Sequence, residues 1–407
     1  NKTFKKSINF NLDRIKLLLK KLNNPERKLK NVINIIGSSG KYTTLHSLKN
    51  FIEADNKSVA AYISPSLKDI RERFWMGDRY LSYKEIKKTI KEIEKFNIPL
   101  TTFEVLTACF IIEASKRKCD YNLIEAGALF AKDSTNVFDF PLAQVVTNIN
   151  KQHLNFLKKK TIDEIINQKV GPLSNFTNIY IGKQKKSILK KIKKRLKKNK
   201  SKIYFSGLWK IKKRGKSFFF INKANKIKII SNNIKSQGLV ENLGNAIQIA
   251  LNLDIKKKTI QQTIPRIFFE GRFQYLLKGK IKNILHKNEK IMLDGAHSEA
   301  DAINLVNYLK SLKIPIYGIW SMMKNKEPEK FIKVFKGIFE EIVTIPIDNQ
   351  ENCLSSKYLC EVAKKSKFKV SAKTSFEEAI KSVTSSKKKI ICVFGSLYSA
   401  GNVLTKN

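Results

Sequence analysis

The sequence predicts an α/β protein of two domains: an N-terminal parallel-sheet domain carrying a phosphate loop, and a smaller, Rossmann-like C-terminal domain. Three observations predict it. Short apolar runs alternate with long helical patterns over most of the chain, the rhythm of a parallel sheet covered by helices on both faces. A glycine turn, Gly37 to Thr44, joins the first apolar run to a helix. A second alternating series begins near Lys290.

Taken in order, Val32 to Ile36 reads as a buried strand, and the helix after the glycine turn runs through Ile52. A helical stretch through Leu106 to Ala114 leads to two further buried strands, Tyr121 to Glu125 and Ala143 to Asn148. Ile203 to Ile230 differs, with two β-like runs around Lys212 to Gly215 that predict a hairpin. The second series places strands at Lys290 to Leu293, Ile316 to Trp320, Glu341 to Ile345 and Lys389 to Phe394, with a long helix expected after each of the first three. The domain boundary falls between Arg272 and Asn288, dividing residues 1–280 from 281–407.

The 407 residues suffice for two sizeable cores, and 42% apolar residues make a globular composition. The apolar runs are too short and interrupted to span a bilayer. The five cysteines are odd in number and none has metal-site spacing, so free thiols in a reducing cytosol are expected. A net charge of +46 invites a nucleic-acid reading. Yet only ten of the 80 basic residues are arginine, the residue that grips phosphate bidentately. In the densest run, Lys183 to Lys202, Ile188, Leu189, Ile192 and Leu196 recur at helical spacing, so a solvated lysine face is expected. No nucleic-acid or membrane partner is expected, and the chain is expected to work as a monomer.

The turn Gly37-Ser38-Ser39-Gly40-Lys41-Tyr42-Thr43-Thr44 has the parts of an anion site. Glycines let backbone N–H groups approach phosphate, and the helix start adds a favourable dipole. Lys41 supplies a point charge, and a hydroxyl of Thr43 or Thr44 suits Mg²⁺. The spacing departs from the common P-loop, because Ile35 occupies the position of its first glycine. Taken alone, the pattern also fits an ordinary glycine turn.

Further motifs extend along the chain: Leu22-Asn23-Asn24-Pro25, Ser64-Pro65-Ser66-Leu67, Thr102-Phe103-Glu104, Glu125-Ala126-Gly127, Asp133-Ser134-Thr135-Asn136, His153, Lys169-Val170-Gly171, Asn242 with Asn245, Gly271-Arg272, Asp294-Gly295-Ala296-His297 and Gly395-Ser396-Leu397-Tyr398. In this order they resemble the folylpolyglutamate synthase and dihydrofolate synthase family over almost the whole chain. The resemblance implies an ATP- and Mg²⁺-dependent ligase. Such an enzyme activates the carboxylate of dihydropteroate or a reduced folate as an acyl phosphate and joins it to glutamate, in a cleft between the two domains. It implies an ATP site at Gly37, Ser38, Ser39, Gly40, Lys41, Tyr42, Thr43, Thr44, Asn242, Asn245, Arg272 and Asp294. It implies metal ligands at Thr43, Ser64, Glu125 and His153, with Glu125 and His153 also catalytic. Lys169 would be a carbamylated lysine, and Asp133, Ser134, His297, Ser396 and Tyr398 would lie at the substrates.

Base rates offer plainer readings: a surface histidine at His153, a solvated helix lysine at Lys169, a strand-ending turn at Asp294. The chain also departs from the family pattern. Leu129, Phe130 and Ala131 replace Gly-Gly-Arg, and Gln152, Gln168, Glu241 and Ser66 replace charged or histidine residues. An altered pterin pocket is expected, with Phe130 filling space left by glycine. Rival readings are a cell-wall amino-acid ligase of the Mur type, a homologue that binds nucleotide without catalysis, and a basic nucleic-acid binder.

Overall fold

Why Val32–Ile36 becomes a central strand follows from its composition: all five residues are buried, as a strand covered on both faces requires. It is β1 of a seven-stranded sheet in the computed structural model, which describes residues 10–215, 217–231 and 233–407. The others are β2 (Val59–Tyr62), β3 (Phe74–Met76), β4 (Tyr121–Glu125), β5 (Ala143–Val146), β6 (Asn178–Ile181) and β7 (Lys202–Phe205), in the order β3-β2-β4-β1-β5-β6-β7. Only β3 runs antiparallel. The chain folds into two compact units, Asn1–Ser231 with Leu239–Ile267, and Asn232–Gly238 with Phe268–Asn407.

Two apolar clusters among the described residues of the first unit fix its helices. One gathers Ile15, Leu18, Ile86, Phe110 and Ile111 from the helices Asp13–Lys21, Tyr83–Glu94 and Thr102–Arg117. The other gathers Ile165, Ile166, Ile188 and Ile192 from Ile162–Lys169 and Lys186–Arg195 against Val146, Ile179 and Ile181. The Phe103-Glu104 motif is part of this architecture. Thr101 and Glu104 form a reciprocal capping box, and the buried Glu104 carboxylate meets Arg14 at 3.0 Å. In the lysine run, Ile188, Ile192 and Leu196 are buried while Lys186, Lys190, Lys193 and Lys194 are exposed, the solvated face that the spacing predicts.

The expected hairpin is present as β8 (Trp209–Arg214) and β9 (Ser217–Asn222), and β10 (Lys226–Ile229) extends it to an antiparallel three-stranded sheet. Ile203 lies elsewhere, in β7 at the edge of the main sheet.

The second unit contains β11 (Gln274–Tyr275), β12 (Glu289–Leu293), β13 (Ile316–Trp320), β14 (Glu341–Thr344), β15 (Val370–Ala372) and β16 (Lys389–Phe394). Their order is β11-β12-β16-β13-β14-β15, and only β11 is antiparallel. Helices Glu299–Lys310 and Ser356–Lys365 follow β12 and β14 as expected. The helix after β13 is short, Pro328–Lys333, because a polar turn from Lys324 and a proline delay its start. At the amino-terminal ends of β12 and β16, buried Glu289 and Lys389 pair at 3.5 Å. Among the described residues, no helix is long and apolar enough to cross a membrane.

Candidate active site

Ligands of open α/β sheets sit at the carboxyl ends of strands, where the strand order switches direction. In the first sheet β1 lies between β4 and β5, so its carboxyl end is such a point. Gly37 follows β1, Ser64 follows β2, Glu125 ends β4 and Asn148 follows β5.

The glycines of the loop answer to close approaches. At Gly37 a Cβ would stand 2.0 Å from Thr147 Oγ1. At Gly40, with φ 89°, it would stand 2.3 Å from the Asn242 side-chain amide. Ser38 and Ser39 donate their N–H groups to Asn148 O at 2.9 and 3.2 Å. Helix Lys41–Ala54 begins at Gly40, and its first intrahelical bond is Thr44 N–H to Gly40 O. Tyr42 stacks on His46, and Thr43 and Thr44 are buried. Asn242 and Asn245 lie on helix Gln237–Asn252; the Asn242 carbonyl accepts from Thr44 Oγ1 at 3.4 Å, and Asn245 Oδ1 is buried without a hydrogen-bond partner.

Three predicted residues converge. Glu125, buried at the end of β4, accepts the Ser64 N–H at 3.3 Å and lies 3.9 Å from Lys41 Nζ. Lys169 is fully buried beneath the loop and donates to Gly37 O at 2.8 Å and to Ala128 O. No carboxylate lies at ion-pair distance from it among the described residues. Burial, and then the nearby Lys41 charge, push its pKa well below the usual lysine value. A neutral amine has two N–H donors, which matches two carbonyl acceptors and leaves the lone pair open. His153 precedes a short turn at Leu154–Phe156, its ring stacked 6.1 Å from Phe156. No cluster of three His, Cys, Asp or Glu side chains forms a metal cage among the described residues. One carboxylate, with the hydroxyl-bearing Ser64 bonded to it through its N–H, is a donor set of the kind a hard cation takes when waters and phosphate oxygens are its other ligands.

Asp133 and Ser134 are buried. Asp133 accepts from Gly127 N–H at 3.1 Å, Thr135 N–H at 3.0 Å and Thr135 Oγ1 at 2.6 Å, which closes the loop after β4. Its pKa is raised by burial. Ser134 Oγ meets Thr107 Oγ1 at 2.7 Å. Phe130 sits inside the fold. It is fully buried in the second apolar cluster with Ile36, Val146 and Ile165, because the segment after Ala128 folds inward as core. Gln152, one of the departures from the family pattern, reaches the loop and donates to Ser39 Oγ at 3.2 Å.

In the second unit the predicted residues again follow strand ends. Asp294 follows β12, and its oxygens accept from Ala296 N–H at 2.8 Å and Phe273 N–H at 3.0 Å. Gly295 N–H bonds Gly271 O at 2.8 Å, so this strand end holds the loop that carries half-buried Arg272. Burial pushes Asp294 up to about 7. His297 Nδ1 lies 2.8 Å from Gly295 O, an acceptor only, so Nδ1 carries the proton. Burial, with Lys326 adding to it, pushes His297 down to about 4, which leaves Nε2 a neutral acceptor. Ser396, after β16, caps helix Leu397–Lys406 by accepting the Tyr398 N–H at 3.2 Å, and Tyr398 is half-buried.

The first unit thus carries a phosphate-type loop at the switch point of a mostly parallel sheet, and the second is a mostly parallel, Rossmann-like sheet. Residues 277–406 match the family described as "Dihydrofolate synthetase, C-terminal domain". The chain is 26% identical to the dihydrofolate synthase/folylpolyglutamate synthase of Buchnera aphidicola, over 99% of this chain and 94% of that protein. It is 22% identical to the dihydrofolate synthetase of Saccharomyces cerevisiae, over 85% and 83%. The structure of E.coli FolC in complex with DHPP and ADP superposes with a TM-score of 0.86 at 20% identity, covering 99% of this chain and 94% of that one. Over nearly its whole length the chain is similar to members of the folylpolyglutamate synthase/dihydrofolate synthase family.

Proposed function

We propose that the protein is an ATP-dependent ligase that adds L-glutamate to dihydropteroate and reduced folates, releasing ADP and phosphate. The observation that carries this is the carboxyl edge of the first sheet, where Lys41, Glu125 and Ser64 converge above a buried lysine with no carboxylate partner. A buried cation site of this kind is costly unless an anion or a neutral amine is part of its function.

A carboxylate has no adequate leaving group at neutral pH, so the pterin carboxylate first attacks the γ-phosphorus and ADP departs. The glutamate amine then attacks the acyl carbon, and phosphate departs. The protein's work is positioning and charge neutralisation. Lys41 and the amides from Gly40 onward hold the phosphates, with Asn242, Asn245, Arg272 and Asp294 on the rest of the nucleotide. Glu125, Thr43, Ser64 and His153 would hold Mg²⁺, which supplies neutralising charge to the phosphates. Neutral Lys169 adds CO₂ at its lone pair and releases a proton, and the resulting carbamate supplies the anion the site lacks. His297 Nε2 accepts a hydrogen bond from the incoming amine, with Ser396 and Tyr398, after the neighbouring strand β16, to complete the glutamate site and Asp133 and Ser134 shaping the pterin side. Residues 1–280 thus serve ATP and residues 281–407 serve glutamate, in a monomer without nucleic-acid or membrane partners.

The test is ADP release measured with dihydropteroate and with tetrahydrofolate, each with and without glutamate and Mg²⁺. Release requiring all components is expected. Hydrolysis indifferent to every pterin but stimulated by a cell-wall precursor would move the chain to a Mur-type role.

A further inference from the structure

The β5–β6 ladder ends with Gly182 N–H donating to Val146 O at 2.8 Å. Two residues beyond, the buried side chain of Gln184 continues it. Its Nε2 donates to Thr147 O at 2.7 Å and its Oε1 accepts from Ile149 N–H at 3.0 Å. A primary amide reproduces the donor and acceptor of a backbone peptide, and here it extends the sheet by one more step. Residue 148 lies between the two braced positions. Its carbonyl accepts both Ser38 and Ser39 N–H groups, and its side chain donates to Lys183 O at 3.2 Å.

We propose that Gln184 is a positioning residue for the phosphate loop, acting through Asn148; this rests on the ATP-dependent reading above. By fixing the backbone on both sides of Asn148, it fixes the acceptor that holds the first half of the loop. With the serine amides turned to Asn148, phosphate oxygens are left the amides from Gly40 onward, at the open start of helix Lys41–Ala54. Releasing the brace frees Asn148 and lets the loop leave the binding conformation, so ATP affinity falls by the fraction of loops out of place.

The experiment uses the full chain with two substitutions. Gln184→Met keeps the length and loses both bonds. Gln184→Glu keeps the acceptor for Ile149 and loses the donor to Thr147 until the carboxyl is protonated. Gln184→Met is expected to raise the KM for ATP and the Mg-ATP Kd roughly tenfold, the scale of one to two hydrogen bonds, while the KM for glutamate stays unchanged. Gln184→Glu should bind Mg-ATP weakly at about pH 8 and recover at about pH 5, because the protonated acid donates again. A merely structural role would lower thermal stability and active fraction and leave the KM for ATP in place. Wild-type Mg-ATP affinity in folded Gln184→Met, or no recovery of Gln184→Glu at low pH, would overturn the inference alone. Failure of the unaltered chain to bind Mg-ATP would overturn the ligase reading and this inference with it.

Discussion

Each unit buries one lysine at its sheet, and the two are treated in opposite ways. Lys389, at the amino end of β16, faces Glu289 at 3.5 Å, donates to Val383 O and lies over the Tyr317 ring. Its charge is answered within the fold. Lys169 is as deeply buried, yet its hydrogen bonds go to two carbonyls, and burial and the like charge of Lys41 lower its pKa against a smaller opposing influence of Asp133. The first arrangement is what a core does with a cation it must keep. The second leaves chemistry unfinished, and it occurs at the carboxyl edge where the phosphate loop begins. A paired buried charge reports on folding, and an unpaired one reports on function.

The sharpest way to break this comparison is to remove each lysine. Lys169→Ala is expected to lower turnover at least about a thousandfold in purified, folded protein, the scale of losing a charge-stabilising group. Its two carbonyls lose their donor, so some stability is lost as well. Partial rescue by a small carboxylate would support the carbamate, and unchanged turnover would refute it. Lys389→Met should do the reverse. It leaves Glu289 buried with the His286 and Ser385 N–H groups but no cation, costing about 3 kcal/mol in denaturant unfolding, while turnover per folded molecule stays near wild type. Turnover lost in proportion for both variants would erase the distinction.

Lys41→Ala removes a point charge from the loop without emptying the core. Mg-ATP binding followed by calorimetry should weaken about 10- to 100-fold, as expected for a charge-assisted contact. Asp294 sharpens the comparison through pH. Its folded carboxyl sits at about 7 against an ordinary 3.8. Its contribution is therefore fully present below about pH 4, falls as pH rises, and is gone above about pH 7, because the unfolded chain gives up the proton first. His297, held down to about 4, contributes the opposite slope over the same range, so the check is the difference between chains: thermal midpoints of Asp294→Asn should lack the downward component that the unaltered chain carries. The smallest effect is expected on the lysine face. Neutralising Lys186, Lys190, Lys194 and Lys198 together should shift stability by no more than a few tenths of a kcal/mol per site and leave no change in DNA retention at physiological salt.

Much of this molecule is local enough to be legible in the chain. Val32–Ile36 is apolar throughout because a central parallel strand is covered twice, and the glycines after it mark where backbone meets backbone. The α/β class, the main strands of both sheets, the hairpin near Lys212 and the solvated lysine face follow from period and composition. The spaced motifs also single out Lys41, Glu125 and Lys169, which the fold brings to the carboxyl edge of the first sheet.

What the chain alone did not decide is which of those groups are paired, and against what. Phe130 stands out in the sequence only as a departure from pattern, and its place in the apolar core depends on how the loop after Ala128 folds. Asp133 and Asp294 read as ligand-facing acids, and both are already engaged with backbone N–H groups. Nothing in the sequence distinguishes Gln184 from other glutamines, since its role depends on β5 lying beside β6. Nor can sequence separate Lys169 from Lys389 among so many lysines. Burial and pairing are sums over elements far apart in the chain, and they come into existence only when the sheets close over those side chains.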